Sequence, residues 1–530
     1  MQNLKVKAFS ENQWVFADDL VTESDSDVFS LHVARRGNVM IQLLTDAFVQ
    51  QGEPFSMHVC GANGVTVTPY QLIAVHVGHN SAPNNEHGLT DSYEKVKDFV
   101  THKAPFDVYD ATAPLIDSIR RDQRLAIALR FTASADALPG TEHIEITLHV
   151  GDKTISVNLS LCIHKAIIPQ LKDSKLTVVN WVAPTRIAQQ FHIEPYSDAY
   201  WPLYEKLLSN LLDIRNNHLS IQTWWEEPVH EKIRNDKGEI IDFDLSRLER
   251  HLQLAEKAGM TKLYGEYIAR FNIWDNKEIY LLWDWDKQCD VTSFDAYKQL
   301  KAYFKRVVEM VERNNWQDKY IQPLVDEPQI PNSEAYRILC GMVRQFYPGV
   351  TIHDPVETYK IPGSADIYCV KQAVYEKYIE EFRELQAAGV RMTYYTCGFP
   401  AGQMMNRVLD LPLFVGRLTF WMCHRYHFEG FLHWGYCCVC DFDETCTTMP
   451  GGNQNIVYGM DNEFWESVRS HNQRVGAEDW ELLAVLAEKK PELVQEFLDR
   501  GCRTFSDYET DFKKVEKIRL DFLKAADEYF

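Results

Sequence analysis

The stretch Tyr320-Ile-Gln-Pro-Leu-Val-Asp-Glu-Pro328 decides how the rest of the chain is read. Its apolar part, Tyr320–Val325, predicts a short strand that ends in two adjacent carboxylates and a proline. Pro328 has no N–H to donate and pushes its neighbour out of helical angles, so the strand stops there. A helical pattern follows from about Ser333, with Tyr336, Leu339 and Val343 on one face. Strand, acidic tip and helix are the layout of a barrel strand whose C-terminal end faces a catalytic cleft. Asp326 and Glu327 could then divide acid and base work, provided their surroundings separate their pKa values. The plain alternative is that Asp326 caps a turn and Glu327 is solvated.

The same rhythm recurs on both sides. Leu176–Trp181, His218–Trp224 and Thr261–Ile268 read as the first three strands, and Tyr320–Val325 as the fourth. Val350–His353, Ala365–Val370, Met392–Thr396 and Gly430–Trp434 follow. Helical stretches lie between them at Trp201–Arg215, Ser246–Ala258, Phe294–Arg313, Tyr375–Ala388 and Leu411–Tyr426, and Gly259 suits a left-handed terminator. Eight alternations over about 260 residues predict a (β/α)8 TIM barrel. Upstream, apolar residues recur at period two in Val28–Leu31, Val39–Leu44, Phe55–Val59, Val65–Val77, Leu125–Phe131, Ile144–Val150 and Thr154–Ile163. That pattern predicts an antiparallel β-sandwich interrupted by an irregular segment at about 79–120. From Asn462 to Phe530 the chain reads as helical. The fold class expected is multidomain β plus α/β: a sandwich over 1–170, a barrel over 171–485 and C-terminal helices over 486–530.

Bulk properties narrow the function. The chain has 530 residues and a net charge of −21, a field that repels nucleic-acid backbones and anionic membranes. No apolar run is long enough to span a bilayer, and the first residues lack a signal-like apolar core, so a cytoplasmic protein is expected. Most of the 12 Cys sit singly inside apolar segments, as reduced buried thiols do. Aromatic content of 12% suits stacking on sugar rings and suits large cores equally.

Strand ends place Trp224, Trp225, Tyr267, Asp326, Glu327, His353, Asp354, Tyr395, Trp434 and Tyr436 around one rim. Of the consecutive pair Trp224 and Trp225, one is expected to form a sugar platform and the other to pack beneath the rim. Tyr395 reads either as a donor to substrate or as a core tyrosine. His353-Asp354 could orient a sugar hydroxyl or form a solvated turn pair. Arg417, within a helix, suits a structural ion pair. Cys437 and Cys440 have C-x-x-C spacing, but no second such pair exists, so packing is the expected role. No metal or cofactor is expected.

Five blocks, in order, resemble glycoside hydrolase family 123 and its relatives. They are Phe191-His-Ile-Glu-Pro-Tyr-Ser-Asp-Ala-Tyr-Trp201, Val325-Asp-Glu-Pro328, Ala365-Asp-Ile-Tyr368, Arg417-Leu-Thr-Phe-Trp421 with Gly430-Phe-Leu-His-Trp-Gly435, and Glu466-Ser-Val-Arg469 with Glu478-Asp-Trp-Glu-Leu-Leu483. The chain departs from the family pattern at Pro450-Gly-Gly-Asn-Gln-Asn455 and at Cys437-Cys-Val-Cys440, which leaves the exact sugar open. The resemblance implies removal of terminal β-linked N-acetylgalactosamine by a retaining, substrate-assisted route. It implies Asp326 as the group orienting the 2-acetamide and Glu327 as general acid/base. It adds Trp421 and Trp434 to the substrate-binding candidates. Two other functions stay open: a glycosidase with a protein nucleophile and a second carboxylate such as Asp354, or a non-catalytic carbohydrate-binding barrel. The expected partner is a terminal amino sugar of an oligosaccharide or glycoconjugate, and a homo-oligomer is compatible with the sequence.

Overall fold

The structure, a computed structural model, describes residues 2–22, 29–83, 88–222, 228–272, 276–438, 442–443 and 449–530. The chain divides into two compact units. One is residues 177–396 with 427–438; the other is residues 1–176 with 397–426 and 439–530.

The first of these holds a closed barrel of eight parallel strands: Thr177–Val182, His218–Ile221, Lys262–Tyr264, Tyr320–Gln322, Thr351–Val356, Ile367–Lys371, Arg391–Thr396 and Gly430–His433. Each strand pairs with the next, and the eighth closes onto the first through Thr177 opposite Gly430. Closure is tight there. A β-carbon on Gly430 would lie 2.1 Å from the Thr177 carbonyl oxygen, so only glycine fits. Connecting helices obey local rules. Phe294–Asn314 starts where Ser293 Oγ accepts the Ala296 N–H at 3.1 Å, and it buries Leu300, Phe304, Val307 and Val311 at helical spacing. Ser246–Ala258 ends at Gly259 with φ 113, a left-handed cap that glycine adopts without penalty. The expected helix Tyr375–Ala388 is two, Gln372–Lys377 and Ile379–Ala387.

Inside the barrel, alternate strands supply one polar layer. Tyr264 Oη bonds His353 Nδ1 at 2.5 Å, and His353 Nε2 bonds Thr393 Oγ1 at 2.8 Å. These three come from the third, fifth and seventh strands, the layering of a filled parallel barrel.

In the other unit two sheets face each other across one apolar core. A five-stranded sheet supplies Ile144, Ile146, Leu148, Leu159, Leu161 and Ile163; a seven-stranded sheet supplies Ile41, Leu43, Ile127, Leu129 and Phe131. Alternate residues of the seven-stranded sheet, Met40, Leu44, Leu72 and Val75, enter a second core behind it. Leu409, Leu413, Tyr458, Trp465 and Val468 complete that core. Burial on both faces explains the near-continuous apolar run in Asn38–Val49.

Several expectations are corrected here. The sandwich is not wholly antiparallel, because Lys153–Ile167 pairs in parallel with Gln2–Asn3 and with Phe29–Arg35. The segment 79–120 contains a nine-residue strand, Phe106–Pro114. Residues 463–467 form a strand, not a helix, and pair with Phe106–Pro114. Residues 397–426 and 439–485, expected with the barrel, belong to the sandwich unit. Buried ion pairs account for this. Arg417 contacts Glu11 at 2.6 Å and Asp479 at 3.0 Å, and Asp479 contacts Arg519 at 3.0 Å. The structural ion pair expected of Arg417 is therefore present.

Candidate active site

The acidic tip after the fourth barrel strand is held in an unusual backbone. Glu327 has φ 54, the left-handed region that a residue with a side chain enters at a cost of about 1–3 kcal/mol. Two backbone hydrogen bonds hold it there. The Glu327 N–H donates to the Pro355 carbonyl at 3.1 Å, and the Glu357 N–H donates to the Pro328 carbonyl at 3.1 Å. This reciprocal clasp ties the tip of the fourth strand to the end of the fifth.

Register then builds a row around the rim. Val356 lies opposite Val370, and Lys371 lies opposite Tyr395, so Glu357, Lys371 and Tyr395 sit at one level. Their side chains converge on Glu327. Tyr395 Oη donates to Glu327 Oε1. Lys371 Nζ lies 3.5 Å from that same oxygen and 2.5 Å from Glu357 Oε1. Gln329 Nε2 donates to the other Glu357 oxygen at 2.9 Å. Glu327, Lys371 and Tyr395 are all buried.

Asp326 differs from its neighbour. It is only half-buried, and among the described residues no hydrogen bond reaches its carboxyl. Protein surrounds that carboxyl, and burial, with Glu327, Asp354 and Glu357 nearby, pushes it well above the usual carboxylate range; Lys371 opposes this. Burial and Glu327 likewise raise Glu357, against Lys371. Asp326 and Glu357, both raised by burial, thus crowd the one ammonium that also faces Glu327.

The remaining candidates are placed as follows. Tyr267 is buried edge-on to Trp181, with ring centroids 5.4 Å apart, and burial together with Asp326 raises its hydroxyl well above its ordinary value. Trp434, half-buried, stacks on His433. Tyr436 is buried and donates to Asn210 Oδ1 at 2.7 Å, on the helix Tyr200–Asp213. His353 and Asp354 lie within the fifth strand, not after it. His353 has both ring nitrogens partnered in the interior, and burial pushes it down to about 3. Asp354 accepts the Leu324 N–H and the Tyr336 hydroxyl, each at 2.7 Å, and burial pushes it up to about 7. Both residues thus face partners in the barrel interior. Trp421 belongs to the sandwich unit, where it is buried against Phe522 and donates to Asp479 at 3.2 Å. Cys437 Sγ lies 3.6 Å from Gln190 Oε1. Trp224, Trp225 and Cys440 lie outside the described residues.

Glu357 and Lys371 were not singled out from sequence. The expected strands stopped at His353 and Val370, short of both. The barrel mouth also carries buried polar atoms without partners among the described residues: Trp181 Nε1, both side-chain ends of Gln222 and of Gln372, and Thr396 Oγ1. Each sits at or just past the C-terminal end of a barrel strand. Buried polar groups are normally satisfied, so these atoms stand out at the mouth. Among the described residues, no helix is long and apolar enough to cross a membrane.

A parallel barrel whose rim gathers three carboxyls, a lysine and a tyrosine belongs with enzymes that do acid–base chemistry on polar substrates. The chain matches the family model described as glycoside hydrolase 123, catalytic domain, over residues 181–486, and it belongs to that family of glycosidases. Among solved structures it is similar to a family 123 glycoside hydrolase from Clostridium perfringens, described for glycolipid glycan hydrolysis. That likeness has 13% identity, covers 99% of each chain and has a TM-score of 0.74, which shows the fold. Far weaker likenesses carry no argument. The β-D-glucuronidase of Dictyoglomus thermophilum has 10% identity over 90% of this chain and 68% of that one, with a TM-score of 0.34. The endo-β-1,4-mannanase of Thermotoga petrophila has 10% identity over 59% and 78%, also with a TM-score of 0.34. No curated protein matches the chain.

Proposed function

We propose that this glycosidase removes terminal β-linked N-acetylgalactosamine by substrate assistance, working in a (β/α)8 barrel. One observation carries the reading: of two adjacent carboxyls, Glu327 is clasped by Tyr395 and Lys371 while Asp326 accepts nothing from the described residues. A carboxyl left without a donor suits a donor brought by the substrate, and a 2-acetamido N–H is one. The acetamido carbonyl oxygen attacks the anomeric carbon as the glycosidic bond breaks, and the leaving oxygen takes its proton from Glu327. Asp326 holds the N–H of the resulting oxazolinium ion. Glu327, now ionised, removes a proton from water as that water attacks the anomeric carbon and opens the ring, so the configuration is retained. Before binding, burial favours the protonated form of Asp326. The incoming N–H replaces that proton in the hydrogen bond, so Asp326 ionises on binding and the proton passes to the Glu327 side of the pair.

The rival with a protein nucleophile finds less support, because Asp354, its second carboxylate, lies within the fifth strand on interior partners. Glycans ending in the amino sugar, glycolipid glycans among them, are the substrates to screen. The test is a pair of aryl glycosides. The β-N-acetylgalactosaminide should be cleaved and the β-galactoside, which differs only at C2, should not, because the tethered oxygen acts at a high effective concentration. Rates should fall steadily as the acetyl group is fluorinated. Comparable cleavage of the plain galactoside, or indifference to fluorination, overturns the mechanism.

A further inference from the structure

A second group of chemistry-bearing side chains lies on the outer face of the five-stranded sheet. His32 is on the strand Phe29–Arg35; Cys162 and His164 are on its parallel neighbour Lys153–Ile167. Register places His32 opposite Cys162. Residues two apart on a strand share a face, so His164 projects beside them. The adjacent residues Leu31, Val33, Leu161 and Ile163 fill the sandwich core, which turns this trio outward. One ligand atom from each of the three lies within 4.8 Å of the others.

The distances fit a tetrahedral ion. Two nitrogens bound to zinc at about 2.0–2.1 Å lie about 3.3 Å apart. His32 Nδ1 and His164 Nε2 are 3.2 Å apart. The sulfur–nitrogen edge of such a site is about 3.5 Å, so the Cys162 sulfur has at most about 1.3 Å to travel from its 4.8 Å limit. The far side of His164 is already braced. Its Nδ1 lies 2.7 Å from Asp527 Oδ2, and Asp527 Oδ1 accepts the Ala166 N–H at 3.0 Å. A carboxylate there fixes the tautomer that turns the Nε2 lone pair toward an ion, the usual support of a metal-bound histidine. Arg519, which donates to the His32 carbonyl at 2.9 Å, is itself paired with Asp479 at 3.0 Å.

We propose that His32, Cys162 and His164 bind one divalent ion of the zinc class, with Asp527 positioning His164 and water as the fourth ligand. His32 and Cys162 are half-buried, which leaves access for that water. Imidazole nitrogen with thiolate selects zinc-like ions over magnesium or calcium. The ion pins Asp527, at the C-terminal end of the last helix, to the sheet. The competing account is a neutral hydrogen-bond chain from His32 through His164 to Asp527. In it Cys162 has no part, and the Cys162 thiol makes no hydrogen bond among the described residues, so the test turns on that thiol.

The full-length chain, stripped of metal, is titrated with cobalt(II). One equivalent should bind with tetrahedral d–d bands and a thiolate-to-cobalt charge-transfer band, both displaced by zinc. Cys162→Ser should lose the charge-transfer band and His164→Asn the stoichiometric binding, while Asp527→Asn should weaken affinity about 10–100-fold. A measurement on the unaltered chain guards against variants that fail to fold: zinc should slow alkylation of Cys162 at least about tenfold, read by peptide mass spectrometry. A missing charge-transfer band, a band that survives Cys162→Ser, or alkylation of Cys162 unchanged by zinc overturns the proposal in favour of the neutral chain.

Discussion

Glu327→Gln tests the proposed proton donor with little cost to the fold. Both contacts to the side chain fall on a single oxygen, Oε1, which receives the Tyr395 hydroxyl and faces Lys371 at 3.5 Å. A glutamine can place its carbonyl oxygen in that position, keeping both contacts and turning its NH2 away. Lys371 keeps its closer partner, Glu357, at 2.5 Å. The backbone at φ 54 is held by the Pro355 and Pro328 carbonyls, which the substitution does not touch. Stability should therefore fall by no more than about 1.5–3 kcal/mol, the scale of a hydrogen bond to a charged group. The chemical loss is larger. General acid catalysis contributes about two to four orders of magnitude, or about 2.7–5.5 kcal/mol of barrier. That loss should appear in kcat/KM for a sugar or alkyl leaving group, followed by product release. For a dinitrophenyl leaving group, which departs without protonation, it should shrink to about tenfold or less. Equal losses on both leaving groups would remove Glu327 from the role of acid.

Three further expectations follow from particular contacts. Asp326→Asn should be severely impaired yet melt higher near pH 8. The folded pKa of Asp326 is raised, so its contribution to stability is complete below the unfolded value near 3.8 and is lost as pH rises through the folded one. Asparagine escapes that loss, so melting curves of the two proteins should converge near pH 4; a variant that melts no higher at pH 8 counts against the burial of that carboxyl. Lys371→Met removes the ammonium 3.5 Å from Glu327, worth up to about 4.7 kcal/mol at an effective dielectric of about 20, so the carboxyl cluster should hold its protons to higher pH. The bell-shaped rate profile should move upward by about one to three pH units, and an unmoved profile contradicts the cluster. Gly430→Ala drives a β-carbon against the Thr177 carbonyl and should cost about 1–3 kcal/mol or more, read as a lowered melting temperature; an unchanged one means the barrel closes less tightly.

Period and punctuation alone located most elements. The strand Val65–Val77 and the helix Ser246–Ala258 with its Gly259 cap stand where the pattern put them, because alternation, helical spacing and a left-handed glycine are local signals. The acidic tip was legible for the same reason, since a proline stop beside two carboxylates is a feature of neighbours in sequence. Long-range partners decided the rest. Phe106–Pro114 lies inside the segment 79–120 that the pattern leaves irregular. Asp110 is buried only because Arg469, 359 residues away, meets it at 2.7 Å. Trp465 belonged to an apolar pattern that suited a helix, and the edge of the sandwich sheet made it part of a strand. His353 and Asp354 were drawn toward the rim by a strand end placed three residues too early. Beyond that end stood Glu357, and past Val370 stood Lys371, a single acid and a single base with nothing in their neighbours to mark them. Parallel register brings both beside Glu327, and register is set by barrel closure, a property of all eight strands together. Local chemistry marked the carboxylate pair at the strand tip, and tertiary structure decided what surrounds it, because charge and burial act through space while sequence records only order along the chain.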